Sequence, residues 1–210
     1  MGKITEKQNS QSNERVTIIF ADTSRTAYLD LASLAYVTAK DREYADRFVK
    51  ESDKVAHLAS AYLKRKYVGE WTLTESGKPV ADGKFFNVSH CDGAVVLALA
   101  NRDVGVDVEN VRKADEDLKR YVSSDEEYWT INADKDFFKV WTSKESLAKA
   151  DGEGLDGRVK DIPALPLAGC KEFKGEKYFS RLTEFENFAI SVTKKGEEPF
   201  DILIKKEKIK

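Results

Sequence analysis

The sequence predicts an α+β fold, a pseudo-dimer of two similar lobes, each a helix packed on a small antiparallel sheet. Three observations carry that expectation. Long stretches with helical spacing precede clusters of short, β-branched segments in both halves of the chain. The two strand clusters match each other: a shift of 93 residues sets Phe85-Phe86 on Tyr178-Phe179 and Val95–Ala100 on Phe188–Thr193. No apolar run approaches the ~20 residues of a membrane helix, so these elements have to bury their faces on one another.

Each element has its own signal. Val16-Thr-Ile-Ile-Phe20 is β-branched and reads as the first strand. From Asp41 to Tyr67, Ala45, Phe48, Val55, Leu58, Ala59, Tyr62 and Leu63 recur at three and four residues, giving one or two helices with a break near Glu51–Asp53. Gly77-Lys-Pro79 is a turn. Lys84–Val88 is a strand ending at Ser89-His90, and Ala94–Ala100 is a strongly apolar one. Asn101-Arg-Asp103 is expected to turn that strand back into Val104–Glu109 as a hairpin. Lys135–Ala150 reads as a helix with Phe137, Val140, Trp141, Leu147 and Ala148 inward, closed by Asp151-Gly152. Strands at Glu176–Thr183, Asn187–Thr193 and Phe200–Ile204 follow. The expected division is a disordered polar tail (1–14), a first lobe (15–110), a linking segment (111–130) and a second lobe (131–210).

The 210 residues are 41% hydrophobic and 34% charged with a net charge of −2, the composition of an ordinary soluble protein. There is no global basic field, so nucleic acid is not an expected partner. The N-terminus lacks the apolar core of a signal peptide, and a cytoplasmic location follows by default. Cys91 and Cys170 are too few for a disulfide framework or a zinc cluster, and Cys91 has no basic partner that would make it a nucleophile.

Chemistry concentrates in Val104-Gly-Val-Asp-Val-Glu109. On a strand the valines face one way, and Asp107 and Glu109 the other. Two carboxylates ~4 Å apart repel by about 1 kcal/mol in water and about 4 kcal/mol at a protein-like dielectric, a cost that a divalent cation removes. Glu145, in Trp141-Thr-Ser-Lys-Glu-Ser146, shares a helix face with Lys149. The pair is either a surface ion pair or a third carboxylate on Mg²⁺ with a lysine aimed at a phosphate, and Mg²⁺ suits a few carboxylates completed by water and phosphate oxygens. His90, with Ser89 at a strand end near this acidic site, is a candidate phosphate contact. His57, placed on the exposed side of the first helix, reads as structural.

Gly77-Lys-Pro79, Phe86-Asn-Val-Ser-His90, Val104–Glu109 and Phe138–Ser146 with Lys149 and Gly152-Glu-Gly-Leu155 together resemble the ordered motifs of the surfactin-type 4′-phosphopantetheinyl transferases. The resemblance runs from about residue 16 to 205, with the motifs in 77–155. It implies a monomeric two-lobed enzyme that moves the 4′-phosphopantetheine arm of coenzyme A onto a serine of an apo acyl or peptidyl carrier protein, with Mg²⁺ as cofactor. Matched residue by residue, Asp107, Glu109 and Glu145 would hold the metal. Ser89, His90 and Lys149 would contact the phosphates, and Lys78 with Pro79 would lie against the adenine end. Glu145, Lys149 and His90 would form the catalytic set, Glu145 accepting the serine proton. The family's basic residue for the 3′-phosphate is missing from Lys54-Val-Ala-His-Leu-Ala-Ser60, leaving Arg42, Arg47, Lys54 and His57 as candidates. Arg112, Lys113, Lys119 and Arg120, interleaved with Leu118, Tyr121 and Val122, would suit docking of an acidic carrier helix. The alternative is a Mg²⁺-dependent hydrolase of coenzyme A or of a nucleotide diphosphate.

Overall fold

A computed structural model describes residues 14–154, 157 and 159–209. Most of the polar N-terminal segment and Leu155 of the last motif lie outside the described residues, whereas Glu14, expected in the tail, opens the first strand. In chain order the elements are β1 (Glu14–Asp22), α1 (Tyr28–Ala32), α2 (Ala39–Ala45), α3 (Glu51–Tyr67), β2 (Thr72–Leu73), β3 (Pro79–Val80), β4 (Phe85–Cys91), β5 (Ala94–Ala100) and β6 (Val104–Asn110). They continue with α4 (Glu116–Val122), α5 (Asp125–Tyr128), α6 (Asp134–Asp151), β7 (Gly169–Phe173), β8 (Glu176–Phe185), β9 (Phe188–Lys195) and β10 (Phe200–Glu207). The mixed α+β class follows directly.

Among the described residues the strands form two four-stranded sheets, ordered β10-β1-β5-β4 and β6-β9-β8-β7, with β2 and β3 as a separate pair. Alternation along each strand explains the layering. Ile19, Ala21, Val95 and Leu97 pack on Leu58, Ala59, Tyr62 and Leu63 of α3. The other faces of the same strands, Ile18, Phe20, Val96 and Ala98, pack on Val104, Val106, Val108, Ile190 and Val192 of the second sheet. Burying each of the valine, leucine, isoleucine and phenylalanine side chains among these contributes about 1.5–3 kcal/mol. The helix α6 covers the far side of that second sheet, where Ser146 Oγ meets Ser191 Oγ at 3.0 Å and Thr193 Oγ1 at 2.8 Å.

The hairpin expected between β5 and β6 does not form. The strand β6 pairs with β9, Asp107 opposite Ser191, and so belongs to the second sheet. The valines that suggested a hairpin arm are buried face-on against β5 instead of edge-on beside it. In return β10 crosses back and pairs parallel with β1, Val16 opposite Ile202. The edges β4 and β6 meet without a backbone ladder, and side chains stitch them: Val106 N–H donates to Asn87 Oδ1 (3.0 Å), and Ser89 Oγ donates to Asp107 Oδ1 (2.8 Å).

Candidate active site

The functional candidates collect at this seam. Asp107, on the α6 side of β6, is only 5% exposed. Its Oδ1 accepts from Ser89 Oγ and from Lys149 Nζ (2.6 Å), and Lys149 also donates to Ser89 Oγ (3.0 Å). Asp107 Oδ2 is buried and has no hydrogen-bond partner among the described residues. Glu145 lies one helical turn before Lys149, its Oε2 3.9 Å from the ammonium. Burial pushes the Glu145 carboxyl up to about 7; Lys149 opposes the shift, and Asp107 and Glu109 add to it. Glu109 is in turn held by Arg112 Nη1 at 2.8 Å.

The three carboxylates expected to hold a metal therefore act on one another, Asp107 and Glu109 both raising the Glu145 carboxyl. No group of three or more His, Cys, Asp or Glu side chains among the described residues is packed as a ready metal cage, so the set is more open than that expectation. Its chemistry nonetheless fits a hard cation: all donors are oxygens, one of them is buried and unpartnered, and Mg²⁺ takes few protein ligands when phosphate and water complete its shell.

A neighbouring pocket of about 180 Å³ is lined by Ser76, Gly77, Lys78, Pro79, Asn87, Val88, Lys149, Gly152 and Gly154. The β2–β3 hairpin reaches it by docking on the end of α6, where Ser76 Oγ donates to the Gly152 carbonyl at 2.8 Å. Lys78, Pro79 and Lys149 are thus brought together, while Ser89 and His90 do not line this pocket. His90 sits at the exposed end of β4; desolvation and then Lys149 depress its pKa, with Asp53 opposing. His57 is not on an exposed face: its ring stacks on Tyr44 at 4.7 Å and its Nε2 is buried. Arg42 is committed to the carbonyls of Ala32 and Val37, both at 3.0 Å. Burial drives the Cys91 thiol up to about 12, which removes it as a nucleophile at neutral pH.

Sequence reasoning missed the group on the opposite side of α6. Lys144, fully buried, pairs with Glu127 of α5 at 2.7 Å and donates to the carbonyls of Val159 (3.1 Å) and Ile162 (2.5 Å). Lys171 of β7, pushed down to about 7 by burial, donates to Ser143 Oγ (2.9 Å) and the Ala164 carbonyl (2.6 Å). This network clamps the segment after Val159 onto α6. Lys144→Met leaves the buried Glu127 carboxylate unpaired, so a loss of about 3–5 kcal/mol is expected, read from the urea midpoint. A midpoint unchanged from wild type would show that the clamp carries no stability.

The basic segment of the linker is largely spoken for. Lys119 pairs with Asp134 (2.8 Å) and Arg112 with Glu109 (2.8 Å), and Arg120 lies over the Tyr128 ring. Leu118, Tyr121 and Trp129 remain exposed.

Residues 103–200 match the model of the 4′-phosphopantetheinyl transferase superfamily. Over that span, a little under half of its length, the chain is similar to the 4′-phosphopantetheinyl transferase superfamily. Among similar proteins, the 4′-phosphopantetheinyl transferase gsp of Aneurinibacillus migulanus is 32% identical over 126 residues, covering 52% of this chain and 53% of that one. The transferase Sfp of Bacillus subtilis (strain 168) is 26% identical over 141 residues, covering 58% and 63%. The transferase psf-1 of Bacillus pumilus is 32% identical over 148 residues, covering 61% and 64%. The chain spans between half and two thirds of the length of these relatives. The superfamily match begins at Asp103, so it holds β6 and α6 together with Asp107, Glu109, Glu145 and Lys149, whereas β4 with Ser89 and His90 lies before it.

The carboxyl of Glu145 makes a stability prediction. Its folded pKa, about 7, lies above the ordinary glutamate value of 4.5, so its contribution to stability is full below pH 4.5 and is lost as pH rises through 7. In chelator, Glu145→Gln should therefore match wild type near pH 4 and exceed it by about 2–3 kcal/mol above pH 7. Melting curves at the two pH values check this, and a gap independent of pH would contradict it.

Proposed function

We propose that this chain transfers the 4′-phosphopantetheine group of coenzyme A to a serine hydroxyl of an apo acyl or peptidyl carrier protein, releasing adenosine 3′,5′-bisphosphate. The observation that carries this reading is the convergence of Asp107, Glu145 and Lys149 beside the pocket of Lys78 and Pro79. In this reading Asp107, Glu109 and Glu145 hold Mg²⁺, and Lys78, Pro79, His90 and Lys149 receive coenzyme A. Bound there, Mg²⁺ would neutralise charge on the diphosphate. Glu145 accepts the serine proton, worth about 10²–10⁴ in rate for a positioned base. The serine oxygen then bonds to the β-phosphorus as the bond to the bisphosphate oxygen breaks. Lys149 and His90 donate to the phosphate oxygens that carry the developing charge.

With Arg42 and His57 used structurally, Arg47 and Lys54 are the basic residues offered to the 3′-phosphate. Two lobes, working as a cytoplasmic monomer, are part of the same proposal, supported by the correspondence of β4 and β5 with β8 and β9. The lobes exchange strands in it, β6 going to the second sheet and β10 to the first. The segment 111–130 is proposed as the carrier's dock through Leu118, Tyr121 and Trp129, since its basic residues are mostly paired.

The test is to incubate an apo carrier with coenzyme A and Mg²⁺ and weigh it. A gain of one phosphopantetheine supports the proposal; coenzyme A cleaved equally fast without a carrier replaces it with the hydrolase. Lys149→Met should lower kcat/KM for coenzyme A by about 10–100-fold, the worth of a charged hydrogen bond of about 1.5–3 kcal/mol. Unchanged kinetics would reduce Lys149 to a partner of Asp107.

A further inference from the structure

The Ser89 side chain has no spare reach. It is 5% exposed, its hydroxyl proton goes to Asp107 Oδ1 at 2.8 Å, and its oxygen accepts from Lys149 at 3.0 Å. It does not line the pocket that holds Lys78, Pro79 and Lys149. Asp107, by contrast, has its two oxygens divided: Oδ1 is doubly held, and Oδ2 is buried without a partner among the described residues. A carboxylate gripped through one oxygen keeps its plane fixed and presents the other as a preset donor. Hydrogen-bond partners of ligating carboxylates act in this way, and their loss commonly weakens metal binding 10–100-fold.

We propose that Ser89 is a positioning residue for Asp107, holding the carboxylate across the β4–β6 seam so that Oδ2 is ready for a divalent cation; its hydroxyl does not contact substrate phosphate. The inference rests on the carboxylate-site reading given under the proposed function. It also explains why the two sheet edges are stitched by side chains here: Asn87 fixes the Val106 amide and Ser89 fixes the next residue's carboxylate, setting the register in which β6 presents Asp107.

Mn²⁺ binding to the protein alone, followed by electron paramagnetic resonance, tests it. Ser89→Thr and Ser89→Val have the same shape and differ only in the hydroxyl, so any crowding of the strand is common to both. The Thr variant should bind Mn²⁺ like wild type, and the Val variant about 10–100-fold more weakly. Coenzyme A affinity in chelator, measured by calorimetry, should be the same for the two. Ser89→Ala, which only removes atoms, gives the same reading should the branched side chains disturb β4. Equal Mn²⁺ affinities, a difference confined to coenzyme A, or a wild type that binds no Mn²⁺ each overturn the inference. Carrier loading by wild type is measured alongside. Failure to load refutes the transferase reading while a Mn²⁺ difference stands; loading with equal Mn²⁺ affinities refutes this inference alone.

Discussion

Asp107→Asn is expected to abolish carrier loading, by about 10²–10³-fold or more, while leaving the protein folded. The magnitude is that of removing a preorganised charged group from the place where negative charge develops. The fold should survive because asparagine keeps an oxygen that Ser89 and Lys149 can still address, and the oxygen replaced by an amide is the one without a partner. What is lost is the attraction to the Lys149 ammonium, whose side chain is 26% exposed, so about 1–2 kcal/mol of stability is the expected cost. Relief of repulsion with Glu109 and Glu145 works the other way, which keeps the net change small. The mass assay and a melting curve, made on the same preparation, separate the two effects. Turnover near the wild-type rate would remove Asp107 from the mechanism, and a variant that fails to fold would make it a structural residue.

The side-chain parity of β6 was legible because alternation has a period of two, and no tertiary information is needed to put Asp107 and Glu109 on one face. The extent of α6 was legible for a similar reason: its apolar spacing and the glycine after Asp151 are local signals. Which strand β6 pairs with was not. Val104, Val106 and Val108 satisfy an apolar partner equally well edge-on or face-on, and only the stacking of two sheets decides between them. The crossing of β10 to β1 is likewise a long-range choice that strand composition does not encode.

The polar interior was the least legible part. Lysine and glutamate read as surface residues, and nothing local announces that Lys144 and Lys171 are buried, because their partners are backbone carbonyls that become available only once the segment around 159–164 is folded over α6. The inward stripe read on that helix was apolar, yet Ser143, Ser146 and Lys144 are as deeply buried as Leu147. At the site itself, the residue types pointed to a cation and a phosphate. They could not show that Ser89 and Lys149 meet on one oxygen of Asp107, since these three come from β4, α6 and β6.

Gly105→Ala should be the most damaging small substitution in the chain. Gly105 has the same parity as Asp107 and Glu109, so it faces α6, and it pairs with Thr193 across the ladder. A Cβ there would fall inside the Ser146 carbonyl oxygen and the Ala150 amide nitrogen, and 3.0 Å from the Lys149 carbonyl carbon. These are backbone atoms of one rigid helix and cannot rotate away as a side-chain tip would. Relief therefore requires α6 to lift off β6, and overpacking of this kind costs about 3 kcal/mol or more. For a chain of this size that is a melting temperature lower by roughly 6–12 °C. The same movement would carry Glu145 and Lys149 away from Asp107, and a misplacement of ~1 Å at reacting groups is enough to lose about 10²-fold in rate. Stability and loading should fall together, with Mn²⁺ affinity following, because one close approach sets both the packing and the site. A Gly105→Ala protein that melts and loads as wild type does would mean that α6 does not press on β6, and the geometry from which the site is built would have to be redrawn.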